Sequence, residues 1–241
     1  MNDILFVILG VMIPFLGTSI GAMSAVFVNS TNKKVESMLY GFSAGVMVSA
    51  SIFSLLIPSI ESTKLNPKWL IPLAGLTLGA LFMIFIDFLS EKKFKNITRS
   101  KKIVLAITCH NLPEGMAVGV AIASALSGKT EMIPALILAL GIGVQNIPEG
   151  AIISLPLVGA GESKAKSIML AFFSAIVEVI GAIIAILISS VITKLLPFFL
   201  SFSAGAMIWV TVKELIPETK GTLSAFIFII GFALMMVLDL M

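Results

Sequence analysis

Apolar runs alternate with short polar stretches from one end of this chain to the other. A helix needs about 20 mainly apolar residues to cross a bilayer. Eight segments meet that requirement: 3–28, 36–59, 69–90, 102–126, 132–157, 165–190, 195–214 and 222–240. The stretches between them are too short to fold as soluble domains. The pattern predicts an all-α integral membrane protein in which residues 1–241 form a single domain of eight transmembrane helices.

Composition supports that reading and adds an orientation. The chain is 58% hydrophobic and 12% charged, with a mean hydropathy of +1.11, against about 25% charged residues in soluble domains. The pI near 9.0 does not mark a nucleic-acid binder, because the basic residues sit in short loops between apolar runs. With the N-terminus outside, the inner loops hold Lys33, Lys34, Lys92, Lys93, Lys95, Arg99, Lys101, Lys102, Lys164, Lys166, Lys213 and Lys220. The outer loops hold Lys64, Lys68, Lys129 and Lys194. That bias predicts an even number of spans with both ends facing outward. The run behind Met1-Asn2-Asp3 has no basic leader or clear cleavage pattern, so it reads as a retained first span. The single cysteine, Cys109, excludes an internal disulfide and a multi-cysteine metal cage. It stands beside His110, yet its ordinary role is packing.

Two polar hexapeptides interrupt this apolar background. His110-Asn111-Leu112-Pro113-Glu114-Gly115 lies in the fourth span, and Gln145-Asn146-Ile147-Pro148-Glu149-Gly150 lies in the fifth. A carboxylate in hydrocarbon is costly, and two with the same neighbours call for a functional reason. His110 and Glu114 are four apart and share one helical face, and Asn111 is close to that face. Gln145, Asn146 and Glu149 repeat the geometry. Pro113 and Pro148 cannot donate to the carbonyls of Cys109 and Val144, which predicts a kink and a freed carbonyl in each helix. Gly115 and Gly150 add room beside each carboxylate. A third acid, Glu178, stands among Ile176, Val177, Val179 and Ile180 in span six. Three carboxylates close together in a low-dielectric setting need cations or protons, and one or two divalent ions would serve. One imidazole with carboxylates and amides suits Zn, Fe, Mn, Co or Cd, whereas an all-oxygen Mg or Ca site has no need of His110. Met47 offers a soft thioether, although Met on a membrane helix usually packs.

Other polar residues carry weaker messages. Asp87 and Glu91 flank the inner end of span three, and Lys213, Glu214 and Glu218 flank that of span seven. Interface location accounts for them, and an acid-lined inner exit route is the alternative. The basic loop 91–101 holds no His and reads as a solvated connector. Asp3 and Asp239 are expected at the outer surface, solvated. Phe42-Ser43-Ala44-Gly45-Val46-Met47 in span two returns as Phe202-Ser203-Ala204-Gly205-Ala206-Met207 in span seven. Those spans run in opposite directions, so the repeat is inverted, as in many secondary transporters.

With these residues in view, the chain resembles the ZIP (Zrt/Irt-like) divalent metal transporters, in particular the prokaryotic branch with Gln-Asn in span five. The two Pro-Glu-Gly motifs, the Phe-Ser-Ala-Gly-x-Met stretch and Glu214-Leu215-Ile216-Pro217-Glu218 carry the resemblance. It implies a 3+2+3 inverted-repeat arrangement, with spans four and five between two three-helix repeats. It also implies a two-metal site on His110, Asn111, Glu114, Gln145, Asn146, Glu149 and Glu178, with Met47 as thioether ligand. An elevator-like motion of spans one, four, five and six against the others is implied, as is a homodimer formed through the static part. Gln145 stands where many relatives carry His, Asn146 stands where some carry an acid, and the His-rich loop of many relatives is absent.

The function expected is a secondary transporter in the plasma (inner) membrane, carrying Zn2+ or a similar divalent ion into the cytoplasm as cargo rather than as a cofactor. No Gly-x4-Gly-Lys-Ser/Thr loop is present, so ATP does not drive it directly. A passive metal channel is one rival. An intramembrane zinc hydrolase is another, weakened by a single His and the lack of His-Glu-x-x-His.

Overall fold

A computed structural model describes residues 2–27, 32–93, 99–188 and 195–240. All regular elements among them are helical. Eight helices are long and apolar enough to cross a membrane: span 1 Asp3–Phe27, span 2 Lys33–Ser62, span 3 Leu70–Ser90, span 4 Ser100–Leu126, span 5 Met132–Gly159, span 6 Lys164–Leu187, span 7 Leu196–Glu218 and span 8 Thr222–Leu240. These match the apolar runs to within a few residues, except that spans 2 and 7 extend further. Lys95, Lys194 and the C-terminal edges expected for spans one and six lie outside the described residues. Side chains such as Phe85, Phe88, Phe226 and Ile229 are more than half exposed, as a lipid-facing surface requires.

Spans 2 and 7 share a local irregularity. Each passes from α-helix into a π turn, Ser51–Leu56 in span 2 and Thr211–Leu215 in span 7. Ser51 Oγ donates to the Met47 carbonyl at 2.7 Å, and Thr211 Oγ1 donates to the Met207 carbonyl at 2.8 Å. Pro58 and Pro217 follow, and neither can donate to the carbonyl four residues back. A hydroxyl competing for one carbonyl and a missing N–H at the other end loosen the α register at the same place in both spans.

Span 1 packs chiefly on span 5, span 6 on span 4, span 2 on span 8, and span 7 on span 3. Glycines allow these approaches. A β-carbon on Gly17 or Gly21 would overlap the carbonyl of Gly143 or Ile147, and one on Gly115 or Gly150 would overlap the carbonyl of Glu178 or Thr18. Gly45 and Gly79 meet Phe228 and Phe202 in the same way. Such contacts supply the dispersion that holds helices together where lipid removes the hydrophobic drive.

Specific polar links follow the same grouping. Among spans 1, 4, 5 and 6, Lys164 Nζ donates to the Val26 carbonyl at 2.8 Å, and Glu162 pairs with Lys166 at 2.7 Å and Lys101 at 3.0 Å. The bonds from Lys166 and then Lys101 hold the Glu162 carboxyl below the usual carboxylate range. Among spans 2, 3, 7 and 8, Ser37 Oγ donates to the Glu218 carbonyl at 2.8 Å, Ser54 Oγ donates to Asp239 Oδ1 at 2.6 Å, and Lys213 pairs with Asp87 at 2.7 Å. Two expectations change here. Asp239 is half-buried against Ser54 rather than simply solvated, because span 8 turns that face toward span 2. Lys213 lies within the π turn of span 7 rather than in a loop, because the helix continues to Glu218. Asp3 is exposed as expected.

Candidate metal centre

Both hexapeptides lie inside unbroken helices. Spans 4 and 5 continue past Pro113 and Pro148, since the neighbouring spans hold them in place. His110, Asn111, Glu114, Gln145, Asn146 and Glu149 are each 0% exposed, and Glu178 is 2% exposed. One nitrogen of His110 and one oxygen each from Glu114 and Glu149 lie within 4.8 Å of one another. His110 Nε2 is 3.6 Å from Glu149 Oε1 and 3.9 Å from Glu114 Oε2. One helical turn brings His110 and Glu114 together, and antiparallel packing of span 5 on span 4 adds Glu149.

The amides sort the remaining atoms. Gln145 Nε2 donates to Glu114 Oε1. Asn111 Nδ2 donates to the Ser174 carbonyl at 3.3 Å and to Ser174 Oγ at 3.2 Å. Asn146 Nδ2 donates to the Pro14 carbonyl at 3.3 Å and to Glu178 Oε2 at 2.8 Å. Thr18 Oγ1 donates to Glu178 Oε1 at 3.4 Å. Glu178 therefore has a donor on each carboxylate oxygen, whereas Glu149 has none on either.

His110 Nδ1 and Nε2, Asn111 Oδ1, Glu114 Oε2, Gln145 Oε1, Asn146 Oδ1 and both oxygens of Glu149 are buried with no hydrogen-bond partner. Each buried orphan polar group costs on the order of 1–3 kcal/mol. Their number at one place is beyond what helix packing readily offsets. The donor set, one imidazole with carboxylate and amide oxygens, is that of a borderline divalent transition metal. The unpartnered atoms are acceptors or imidazole nitrogens, and these are the atoms that such an ion binds.

Among the residues expected from the sequence, the three-residue cluster is His110, Glu114 and Glu149. Gln145 joins through Glu114, Asn146 and Thr18 bond Glu178, and Asn111 bonds Ser174 of span 6. Met47 is buried, and its sulfur accepts from Thr211 Oγ1 at 3.9 Å. The thioether next to a site amide is Met207, whose sulfur lies 4.0 Å from Gln145 Nε2. Cys109 is partly buried and packs against the core, the ordinary role expected for it. Thr18 and Met207 escaped the sequence reading. Both stand in the register that aligns Phe42 with Phe202, since Thr18 then aligns with Glu178 and Met47 with Met207. That register was the signal for them.

Residues 90–239 match the family described as ZIP Zinc transporter. The chain is 32% identical over 253 residues to the zinc transporter ZIPB of Bordetella bronchiseptica, covering 97% of this chain and 80% of the relative. It is 34% identical over 217 residues to the zinc transporter GufA of Myxococcus xanthus, covering 84% of each. It is 29% identical over 258 residues to the zinc transporter ZupT of Clostridium perfringens, covering 91% of this chain and 88% of the relative. These relatives are transporters by name and not enzymes. With eight apolar helices around a buried His–Glu–Glu cluster, the chain belongs to the ZIP zinc transporter family.

Proposed function

We propose that this chain is a secondary transporter that carries Zn2+, or a similar divalent transition metal, through the membrane into the cytoplasm. The observation that carries the reading is the buried cluster of His110, Glu114 and Glu149 with its unpartnered acceptors. The first ion binds there, and Gln145 braces Glu114. Glu178, with Asn111 and Asn146, offers a second and weaker position, because Asn146 and Thr18 already satisfy its oxygens. The metal is cargo. Protons compete for the same carboxylates, so a proton gradient or the metal gradient itself drives net flux.

The single domain is arranged as 3+2+3 inverted repeats. Support comes from the packing: exchanging span 1 with 6, 2 with 7, 3 with 8 and 4 with 5 turns the contact of 1 on 5 into 6 on 4, and that of 2 on 8 into 7 on 3. Spans 1, 4, 5 and 6 move as one body against spans 2, 3, 7 and 8. The glycine contacts and ion pairs described for the fold join spans within each body and favour this division. Both chain ends face outward, a reading that rests on loop charge. Two copies pair through the static body, where spans 3 and 8 present broad apolar faces.

The test is metal entry into proteoliposomes that contain a trapped fluorescent chelator. Zn, Fe, Mn, Co, Cd and Mg are compared with and without a pH gradient. Saturable entry in the wild type, lost in both Glu114→Ala and Glu149→Ala, is the expected outcome. Normal transport by both variants would remove the cluster from the mechanism, and no entry with well-folded wild type would remove transport itself.

A further inference from the structure

A second polar cluster lies on span 4, toward the side that loop charge assigns to the cytoplasm. A cavity of about 210 Å3 is lined there by Asp87 and Ser90 of span 3, Lys102 and Ala106 of span 4, and Lys213 and Glu214 of span 7. Ala106 is one helical turn from His110, so the cavity approaches the metal centre along span 4. It also lies between the two bodies, with spans 3 and 7 on one wall and span 4 on the other.

Asp87 is one of the two carboxylates lining this cavity, with Glu214, and its Oδ2 is already engaged. It accepts from Lys213 Nζ at 2.7 Å and from Trp209 Nε1 at 2.8 Å. The Lys213 ammonium also lies 5.9 Å from the centroid of the Trp209 ring, within the range of a cation–π contact. The Asp87 side chain is 16% exposed and that of Lys213 is 37% exposed. The π turn Thr211–Leu215 sets Lys213 on this wall. The pair is part-buried, and its placement along span 4 toward the metal centre is the informative feature. A carboxylate next to a cation pathway binds divalent ions and delays their departure. An ammonium tethered to the same wall prevents that.

We propose that Lys213 is a built-in cation that fills the position at Asp87 in the inner vestibule, so that metal leaving the His110–Glu114–Glu149 cluster is not held at Asp87. The proposal rests on the transport reading above for its role in release, but its chemistry is testable by binding alone.

The experiment counts bound Cd2+ by equilibrium dialysis and elemental analysis of protein in nanodiscs. Lys213→Met keeps the apolar stem and removes the charge. It is expected to bind one further equivalent of Cd2+ compared with wild type. Adding Asp87→Asn to that variant returns the count to wild type, and Lys213→Arg leaves it unchanged. An unchanged count in folded Lys213→Met overturns the proposal. If that variant does not fold, Glu114→Ala/Glu149→Ala protein with Lys213 intact decides. A Cd2+ equivalent retained there and removed by Asp87→Asn means that Lys213 does not exclude metal and overturns the proposal; no retained equivalent supports it. Failure of the transport reading has a separate signature, a wild type that binds no Cd2+ or a Glu114→Ala variant with an undiminished count.

Discussion

Glu149 and Glu178 are both buried carboxylates in apolar helices, yet their neighbours differ. Glu149 has no donor on either oxygen, and Glu178 has Thr18 on one and Asn146 on the other. A carboxylate without donors needs a cation or a proton, whereas one with two donors is partly satisfied by the protein. In the proposed two-ion reading, Asn146 is therefore the residue that sets the second position. Asn146→Asp replaces a donor by an acid and adds negative charge next to Glu178. The variant is expected to bind more metal per chain than wild type, and to lose about 1–3 kcal/mol of metal-free stability from the donor it removes. Elemental analysis and thermal unfolding with and without Zn2+ measure the two effects. An unchanged metal count with an intact fold would show that Asn146 does not limit the second position.

At the scale of elements, the helices are held by backbone contact more than by side-chain volume. Gly115 and Gly150, which close the two hexapeptides, bring the carbonyls of Glu178 and Thr18 to within van der Waals reach. The same residues that follow the ligands therefore set how near spans 6 and 1 come to the site. Gly115→Ala would force span 6 away from span 4 and carry Glu178 with it. Overpacking of this kind costs about 1–3 kcal/mol. The expected result is a lower unfolding temperature together with weaker metal binding. Equal loss of stability without any change in metal affinity would separate packing from site geometry. The π turns belong to this scale as well. Ser51 and Thr211, followed by Pro58 and Pro217, loosen two helices at matched places, and in span 7 that turn presents Lys213 to the inner cavity.

At the scale of the whole molecule, the proposed motion divides the spans into two bodies, and the division makes a prediction. Gly141 of span 5 faces Ser54 of span 2 across the boundary, since a β-carbon on Gly141 would lie 3.5 Å from Ser54 Oγ. Ser37 of span 2 is bonded to the backbone at Lys220, within one body. A short thiol cross-linker on Gly141→Cys/Ser54→Cys is expected to stop metal entry, with recovery after cleavage. The same reagent on Ser37→Cys/Lys220→Cys is expected to leave entry largely intact. Normal transport with the first pair fully cross-linked would mean that the two bodies do not slide past each other, and a channel-like passage would then account better for flux.

Much of this protein was legible before any coordinates. Apolar run length determined the eight helices, because a bilayer admits few ways of satisfying the backbone. The two hexapeptides named the buried polar residues, because hydrocarbon makes such residues costly unless they serve a purpose. Helical periodicity placed His110 and Glu114 on one face, which is a local property. What it did not determine was which distant side chain satisfies which carboxylate. The pairing of Glu178 with Thr18 and Asn146, the approach of Met207 to Gln145, and the burial of Asp239 against Ser54 all join residues far apart in the chain. The extension of span 7 through a π turn depends on neighbouring helices in the same way. Contacts of that kind are set by helix rotation and axial offset, and these follow from the packing of several spans at once. Sequence determined the inventory of the site and its helices, and only the tertiary structure decided which atoms remain unpartnered to receive a metal.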